Sequence, residues 1–360
     1  MIDLKTFGYI ENEKPPDGLF PARITAVHRE RYELICNENI NLKASTQENT
    51  QHGRLKASVY YGREPQIFPT VGDFVFISPV EGGDCQIVKT LPRRTYFARL
   101  DPDPNGGTQQ AVAANFDYVF IMSSLNKDFN VKRIERYIVQ TRQSGAIPIV
   151  ILTKADLTPD TTDAMAQVFD IADGVDVIPV SVVSETGLGR LEQYLTPEKT
   201  VVFLGMSGVG KSSLLNKLVG QAVMDVKTIR EDDSRGRHTT THRQLIVLPS
   251  GAMVIDTPGM RSLGMWEADD GLSETFADIE ALIGACRFSD CKHETEPGCA
   301  VLVAIENGEL SESRFDSYRA LQRESAYAVR KAEFLKIKSE RNKEIALFSK
   351  EYKKSKGFKQ

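Results

Sequence analysis

No run of the 360 residues approaches the roughly 20 consecutive apolar residues that a membrane-spanning helix needs. The first residues, Met1-Ile2-Asp3-Leu4-Lys5, lack the basic-then-apolar layout of a signal peptide. Cysteine is scarce, and three of the five cysteines cluster with a histidine, which suits a metal site in a reducing compartment better than disulfide bonds. We therefore expect a cytoplasmic protein that does not enter a membrane.

Net charge is small, at −4, but it is unevenly distributed. Residues 311–360 contain 14 Lys and Arg against 7 Asp and Glu, so the rest of the chain is acidic. The segment 311–348 has a helical pattern, and five Lys lie within the last eleven residues. Two interpretations of this basic end stay open, contact with an RNA backbone and a solubilising tail.

The N-terminal quarter is rich in β-type segments. Residues 1–18 are polar and predict a short arm ending in a turn. Residues 19–92 contain five or six short β-rich runs, including 54–60, without a helical pattern, which predicts a small β-barrel such as an OB-fold. Because a fold does not dictate a function, RNA contact and a structural or protein-docking role both stay open.

Residues 93–115 have the composition of a linker with an exposed loop at 101–107. The arginines in it, Arg93, Arg94 and Arg99, suit either contact with phosphate or a solvated face.

From residue 116 to about 270 apolar strand patterns alternate with helical patterns. Strands are expected at 118–122, 147–152 and 177–180, helices at 132–143 and about 161–172, and a hairpin at 244–255. This alternation predicts a mostly parallel α/β sheet.

A phosphate-binding loop lies between a strand pattern at 201–204 and a helix pattern that ends at Gly220. Its glycines let backbone N–H groups turn towards a phosphate, and the helix N-terminus adds a partial positive charge. We expect nucleotide contacts from eight residues: Gly205, Ser207, Gly208, Val209, Gly210, Lys211, Ser212 and Ser213. Lys211 is expected on the β- and γ-phosphates and the Ser212 hydroxyl on Mg²⁺.

Asp256-Thr257-Pro258-Gly259 follows an apolar strand pattern. Downstream of a P-loop, Asp256 is expected to hold Mg²⁺ and the Gly259 N–H to reach the γ-phosphate. A plain turn is the alternative, because Asp, Pro and Gly all favour turns.

Thr153-Lys154-Ala155-Asp156 lies at a strand end and is similar to the guanine-reading Asn-Lys-x-Asp motif of GTPases. The Asp156 carboxylate can accept two hydrogen bonds from guanine, and the stem of Lys154 can cover the base. Thr153 replaces the usual Asn, so a lost or reduced link to the P-loop is expected. Ser181 is placed to present a backbone N–H to the guanine O6.

Residues 236–243, Gly-Arg-His-Thr-Thr-Thr-His-Arg, lie between the P-loop and Asp256. This is the position of a switch segment, in which Thr240 ligates Mg²⁺ when the γ-phosphate is present. The alternative is a solvated loop.

Four metal-type ligands lie within 14 residues: Cys286, Cys291, His293 and Cys299. Three thiolates and an imidazole predict one closed, structural Zn²⁺ site, without which this short segment does not stay folded. Cys36 and Cys85 are isolated, and buried packing is the default expectation for both.

In the order of these motifs the guanine-reading segment precedes the P-loop, a circular permutation of the usual arrangement. The order, the residues 236–241, the Asn115-Phe116-Asp117 sequence and the Cys/His cluster together resemble the RsgA family, also called YjeQ or YloQ. The resemblance covers roughly residues 20–345. It implies a multidomain chain with an OB-fold barrel (19–92), a linker (93–115), a circularly permuted GTPase domain (116–270) and a zinc-binding helical domain (271–360).

The resemblance also implies the activity. Members are bacterial GTPases, stimulated by the small ribosomal subunit and acting in its late maturation through rRNA contacts. We thus expect GTP hydrolysis to GDP and phosphate with Mg²⁺, catalytic roles for Lys211, Thr240 and His238, and a monomer. Met260 stands where a water-orienting Gln is common, so His238 is assigned that task, with His242 as the alternative.

Two other functions compete. One is a GTP-dependent RNA-binding scaffold in which hydrolysis is only a slow release timer. The other is an ATPase or P-loop kinase. A further expectation is that residues 257–265, which lead directly into the zinc domain, re-aim that domain when the γ-phosphate is lost.

Overall fold

The N-terminal part is a closed β-barrel. The computed structural model describes residues 3–28, 31–37, 51–60, 68–100, 109–126, 128–172, 174–221, 243–256 and 268–357. Five strands and a short helix form the barrel: β1 (Phe20–Val27), β2 (Tyr32–Cys36), β3 (Gln51–Leu55), α1 (Ala57–Tyr60), β4 (Phe74–Ser78) and β5 (Cys85–Thr90). The strand order is β1-β2-β3-β5-β4, and pairing of β4 with β1 closes the barrel. Its interior is apolar and includes both isolated cysteines, Cys36 and Cys85, so the predicted barrel is confirmed.

Two local predictions are wrong. The strand expected at 54–60 ends at Leu55, and α1 follows it. The linker contains an antiparallel hairpin of β6 (Tyr96–Leu100) and β7 (Gln109–Ala114). Phe97 stacks on Phe116 with ring centroids 4.9 Å apart, so this hairpin adds to the core of the next domain.

Arg93 is structural rather than a solvent-facing linker residue. Its guanidinium makes two 2.8 Å hydrogen bonds to the buried carboxylate of Asp73 in the barrel. Arg94 is more exposed, and its guanidinium lies 3.8 Å from Asp117.

The central domain is an α/β sheet. Its elements are β8 (Tyr118–Ser124), α2 (Val131–Gln143), β9 (Ile147–Thr153), α3 (Thr162–Phe169), β10 (Asp176–Val180), β11 (Thr200–Gly205), α4 (Lys211–Val219), β12 (Arg243–Val247) and β13 (Met253–Asp256). Strands β10, β9, β8, β11 and β13 are parallel neighbours in that order, and β12 pairs antiparallel to β13. The carboxyl ends of the parallel strands therefore lie at one edge, where α/β sheets bind ligands.

The barrel and this sheet are continuous. At the end of β1, Ala26 pairs with Gln244 and Val27 with Arg243 on β12, which joins the strands into one eleven-stranded sheet. Fully buried Arg23 crosses the same junction, and burial lowers its pKa to about 9, so it stays charged at neutral pH. Five acceptors surround its guanidinium: the carbonyls of Phe7, Gly72 and Asn115, the Thr200 hydroxyl and the Met253 sulfur.

The C-terminal part is helical, with α5 (Asp269–Thr275), α6 (Ala277–Gly284), α7 (Ala300–Glu306) and α8 (Glu312–Gly357). The first turns of α8 bury Phe315, Tyr318 and Leu321 against Phe276 and Ile279. None of the helices in the described ranges has the length and apolar character that crossing a bilayer requires.

Candidate functional site: nucleotide and metal centres

The P-loop joins the end of β11 to the start of α4. Gly208 and Gly210 take left-handed backbone angles, with φ of 77° and 105°, which ordinary residues adopt at a cost. Gly205 is fixed by close packing, because a Cβ there would lie 2.6 Å from the Met122 carbonyl on β8. Ser207 is exposed at the mouth of the loop, whereas Ser212 and Ser213 are half-buried in the first turn of α4. The loop thus presents backbone N–H groups and a helix N-terminus at the sheet edge.

Lys211 is the first residue of α4, and Asp256 is the last residue of β13, the strand next to β11. The Lys211 ammonium donates to the carbonyls of Gly205 and Met206, at 2.6 and 2.7 Å. Burial raises the pKa of Asp256, and the charge of Lys211 opposes that rise. The Asp256 carboxylate and the Ser212 hydroxyl are both half-buried, and both are oxygen donors of the kind that Mg²⁺ prefers.

Thr153 ties the guanine-reading segment to the P-loop. Its buried hydroxyl donates to the Val209 carbonyl at 2.6 Å, and the Ser123 carbonyl lies 3.4 Å away. Lys154, the next residue, has a left-handed backbone, with φ of 57° and ψ of 41°. A link between this position and the P-loop is therefore present in the structure, and it is made by one hydroxyl in place of the usual Asn amide.

Asp156 is oriented by the following loop. The Ser181 hydroxyl donates to the Asp156 carboxylate at 2.5 Å, and the Ser184 N–H donates to the same hydroxyl at 3.1 Å. Ser181 is itself buried, and its N–H donates to the Thr186 carbonyl at 3.0 Å. The carboxylate therefore has a fixed direction, as recognition of a base edge requires.

Four residues of the expected site lie outside the described ranges: the two histidines His238 and His242, together with Thr240 and Gly259. Met260, residues 236–242 of the expected switch segment and residues 257–265 lie there as well, whereas Arg243 is the first residue of β12.

A small cleft adjoins the P-loop on the side of α2. Its walls include Arg133, Ile134 and Tyr137 of α2 together with Met206 and Ser207. The sequence of α2 does not predict this cleft, because its pattern is that of an ordinary amphipathic helix. Only the three-dimensional contact of α2 with the P-loop reveals it.

The four predicted zinc ligands come together. All of their ligand atoms lie within 4.8 Å of one another. The His293 Nδ1 lies 3.4 Å from the Cys299 Sγ and 3.6 Å from the Cys286 Sγ, and the two sulfurs are 3.9 Å apart. Corners of a tetrahedral zinc site lie about 3.3–3.8 Å apart, given Zn–N and Zn–S bonds of about 2.0–2.3 Å. The donor set fits Zn²⁺.

The loop between these ligands is held by Glu296. Its carboxylate accepts from the backbone N–H groups of Lys292, Glu294 and Thr295 at 2.8–3.0 Å. These backbone hydrogen bonds lower the pKa of Glu296 to about 2. The ring of His293 packs edge-on against Phe315 of α8, which links the metal loop to the helical core.

The fold and the site together define a circularly permuted P-loop GTPase with a β-barrel before it and a metal-binding helical domain after it. The family described as RsgA GTPase matches residues 90–266. The small ribosomal subunit biogenesis GTPase RsgA 2 of Listeria monocytogenes is 46% identical over 86% of this chain and 84% of its own length. The corresponding RsgA of Methanosarcina acetivorans is 42% identical over 80% of this chain and 79% of its own length.

Two solved structures are similar in fold to this chain. YjeQ from Thermotoga maritima superposes with a TM-score of 0.62 at 25% identity, covering 86% of this chain and 99% of that one. YloQ, a circularly permuted GTPase, gives a TM-score of 0.59 at 26% identity over 86% and 96%. The chain belongs to the RsgA family of GTPases, enzymes that hydrolyse GTP.

Proposed function

We propose that this protein hydrolyses GTP to GDP and phosphate in response to the small ribosomal subunit and acts in the late maturation of that subunit. The observation that carries the guanine specificity is the chain of contacts from the P-loop to Asp156. Thr153 links Val209 to the guanine-reading loop, and Ser181 orients the Asp156 carboxylate. The names of the relatives support the ribosomal assignment, because they are called small ribosomal subunit biogenesis GTPases.

Within that proposal the P-loop N–H groups and Lys211 hold the β- and γ-phosphates. Ser212 and Asp256 would hold Mg²⁺, together with Thr240 from outside the described residues, and the bound ion would neutralise developing charge. Gly259 contacts the γ-phosphate and His238 orients the attacking water, with His242 as the alternative. Lys154 covers one face of the guanine.

The domain limits belong to the same proposal: an arm at 1–18, a barrel at 19–92, a connecting segment at 93–115, the GTPase at 116–270 and the zinc domain at 271–360. The barrel and the basic C-terminal end are the parts proposed to contact rRNA, because they flank the catalytic domain and the end carries excess positive charge. The protein acts as a monomer on a cytoplasmic particle.

The test is hydrolysis of GTP and of ATP with and without purified small subunits, with large subunits as the matched control. We expect slow GTP hydrolysis alone, strong stimulation by small subunits only, and no comparable ATP hydrolysis. Unstimulated hydrolysis by protein that co-sediments with small subunits would contradict activation and favour the scaffold interpretation. Failure to co-sediment would remove the ribosomal assignment and leave the GTPase assignment in place.

A further inference from the structure

Helix α2 contributes an arginine to the cleft beside the P-loop. Arg133 lines this cleft together with Met206 and Ser207 of the loop. Among the described residues around the cleft, Arg133 is the one cation and Asp128 is the one anion. The other lining residues are apolar or carry a hydroxyl group. An anion that entered the cleft would therefore be held chiefly by Arg133.

The charge of Arg133 is not compensated within the described part of the chain. Arg133 is half-buried, and its guanidinium donates to the main-chain carbonyl of Asp128, at 3.4 Å, rather than to a carboxylate. By contrast, the Arg142 Nε of the same helix lies 3.2 Å from the Glu274 carboxylate. Partial burial of a cation costs solvation energy unless an anion compensates it. Arg133 therefore has hydrogen-bond donors to offer to an anionic ligand.

The backbone that carries Arg133 is fixed on both sides. Asn130 caps α2, and its side chain accepts a hydrogen bond from the Arg133 N–H at 3.0 Å. The next turn of the helix is held by Ile134 and Tyr137, which are buried in the core of the central domain. Arg133 thus extends from a rigid helical turn, and rigid elements position functional groups more precisely than loops do.

The position of Lys211 indicates which phosphate group lies nearest to this cleft. The lysine of a P-loop reaches the β- and γ-phosphates of the nucleotide. Here its ammonium lies at the start of the loop, 2.6 Å from the Gly205 carbonyl and 2.7 Å from the Met206 carbonyl. Met206 also lines the cleft that contains Arg133. The terminal phosphate of bound GTP is therefore expected on the side of Arg133.

We propose that Arg133 is a catalytic residue of GTP hydrolysis, which donates hydrogen bonds to the γ-phosphate. In this reaction the water oxygen attacks the γ-phosphorus, the bond from that phosphorus to the β–γ bridging oxygen breaks, and the water's proton passes to the released phosphate. Arg133 transfers no proton, because a guanidinium stays charged in proteins. It stabilises the charge that develops on the transferred group. This role rests on the proposed function, in which Lys211 holds the β- and γ-phosphates.

Single-turnover hydrolysis of GTP by the full chain carrying Arg133→Ala tests this role. We expect the rate constant to fall about tenfold or more, while the Kd for GDP, which lacks the γ-phosphate, stays within about twofold. Arg133→Lys keeps the charge without the paired donors and is expected to restore part of the rate. The matched control is Lys132→Ala, which removes an exposed neighbouring cation that does not line the cleft. Its hydrolysis rate and its Kd for GDP should equal those of the unsubstituted protein.

Three outcomes would overturn the inference. They are an unchanged rate in the Arg133→Ala variant, an equal loss of hydrolysis and of GDP affinity, and an equally slow Lys132→Ala variant. The second would mean that Arg133 shapes the whole nucleotide site, and the third that only the local positive charge matters. Circular dichroism verifies that each variant is folded. If Lys211→Ala left the affinities for GDP and for a non-hydrolysable GTP analogue unchanged, the phosphate positions of the proposed function would be wrong, and this inference with them.

Discussion

The threonine at the first position of the guanine-reading segment shows how a single hydroxyl can replace an amide. Thr153 has one donor, and it is used on the Val209 carbonyl of the P-loop. A β-branched residue also suits the end of β9, where both the strand and the contact favour a fixed side-chain rotamer. The base-reading and phosphate-binding segments are therefore coupled through one short hydrogen bond.

Thr153→Val removes that hydroxyl at nearly constant volume. We expect the Kd for GDP to rise about tenfold, because a buried carbonyl loses its partner at a cost of about 1–3 kcal/mol. Thr153→Ser is the matched control and is expected to bind GDP nearly as tightly as the unsubstituted protein. Equal GDP affinity of the Val and Ser variants in a fluorescence titration would contradict the coupling.

At the scale of the helices and strands, local patterns predicted much of the central domain. Helix α2 was expected at 132–143 and is observed at Val131–Gln143, because its apolar spacing is regular and Asn130 caps its first turn. The β6–β7 hairpin escaped prediction because its strands are rich in Ala and Gln and contain only one β-branched residue, Val112. Its stability comes from tertiary packing of Phe97 and Val112, which no local pattern reports.

The contact between α2 and α8 contains a buried carboxyl group. Burial raises the pKa of Glu135 to about 7, and Arg314, whose Nη1 lies 3.7 Å from its Oε1, opposes that rise. Ser317 donates a hydrogen bond to the carboxyl group, Lys132 is a nearby cation, and Asp278 is a nearby anion that itself pairs with Arg314. The proton on this group thus stabilises the folded state.

The raised pKa of Glu135 predicts that the stability of the folded protein depends on pH. The unfolded chain loses the proton near pH 4.5, whereas the folded protein keeps it up to about pH 7. The stabilisation is complete below pH 4.5 and is lost as the pH rises through 7. Glu135→Gln is neutral at every pH, so we expect it to be more stable than the unsubstituted protein at pH 8.5, by up to about 3 kcal/mol. A Tm difference that is the same at pH 5.5 and pH 8.5 would contradict this account.

Zinc binding is predicted to stabilise only the segment that carries its ligands, residues 285–299. Removing zinc with a chelator, or replacing one ligand by Cys299→Ser, is expected to lower zinc content from one to zero and to unfold the segment 285–299. GDP binding should persist, because the P-loop lies in the separate core of the central sheet. Cys85→Ala is the matched control, a buried barrel cysteine outside the cluster. The measurements are metal analysis, thermal unfolding and GDP titration, and retention of zinc by the Cys299→Ser variant would contradict the assigned ligands.

For the whole molecule, the junction between the barrel and the GTPase sheet is the feature that sequence patterns did not predict. The motifs locate the P-loop and the metal ligands because those sites depend on short spacings. The pairing of β1 with β12 joins residues more than 200 positions apart, and Arg23 reads as an ordinary strand residue until its neighbours are known. Sequence patterns therefore separate the barrel from the GTPase domain, whereas backbone hydrogen bonds between β1 and β12 join the two into one sheet.

Arg23→Met tests how much Arg23 contributes to the stability of the junction between the barrel and the GTPase sheet. Removing the guanidinium leaves buried acceptors such as the Asn115 and Gly72 carbonyls without their donor, which we expect to cost about 3–5 kcal/mol. Calorimetry should then separate the unfolding of the barrel from that of the GTPase domain. Arg23→Lys keeps the charge, and its free energy of unfolding is expected to lie between those of the unsubstituted protein and the Met variant. An unchanged single transition in the Met variant would show that Arg23 does not hold the domains together.

The central claim is that this site reads guanine through Asp156, and a change of base specificity tests it most directly. Asp156→Asn replaces an acceptor by an amide that can donate to the extra carbonyl of xanthine. GTP affinity is expected to fall roughly a hundredfold or more, since hydrogen bonds to a charged group are worth about 1.5–3 kcal/mol each, while xanthosine triphosphate becomes the preferred nucleotide. Asp163→Asn, an exposed aspartate on α3, is the control and should leave GTP preferred. If the Asp156→Asn variant hydrolysed GTP with an unchanged KM, the assignment of the guanine site would be wrong.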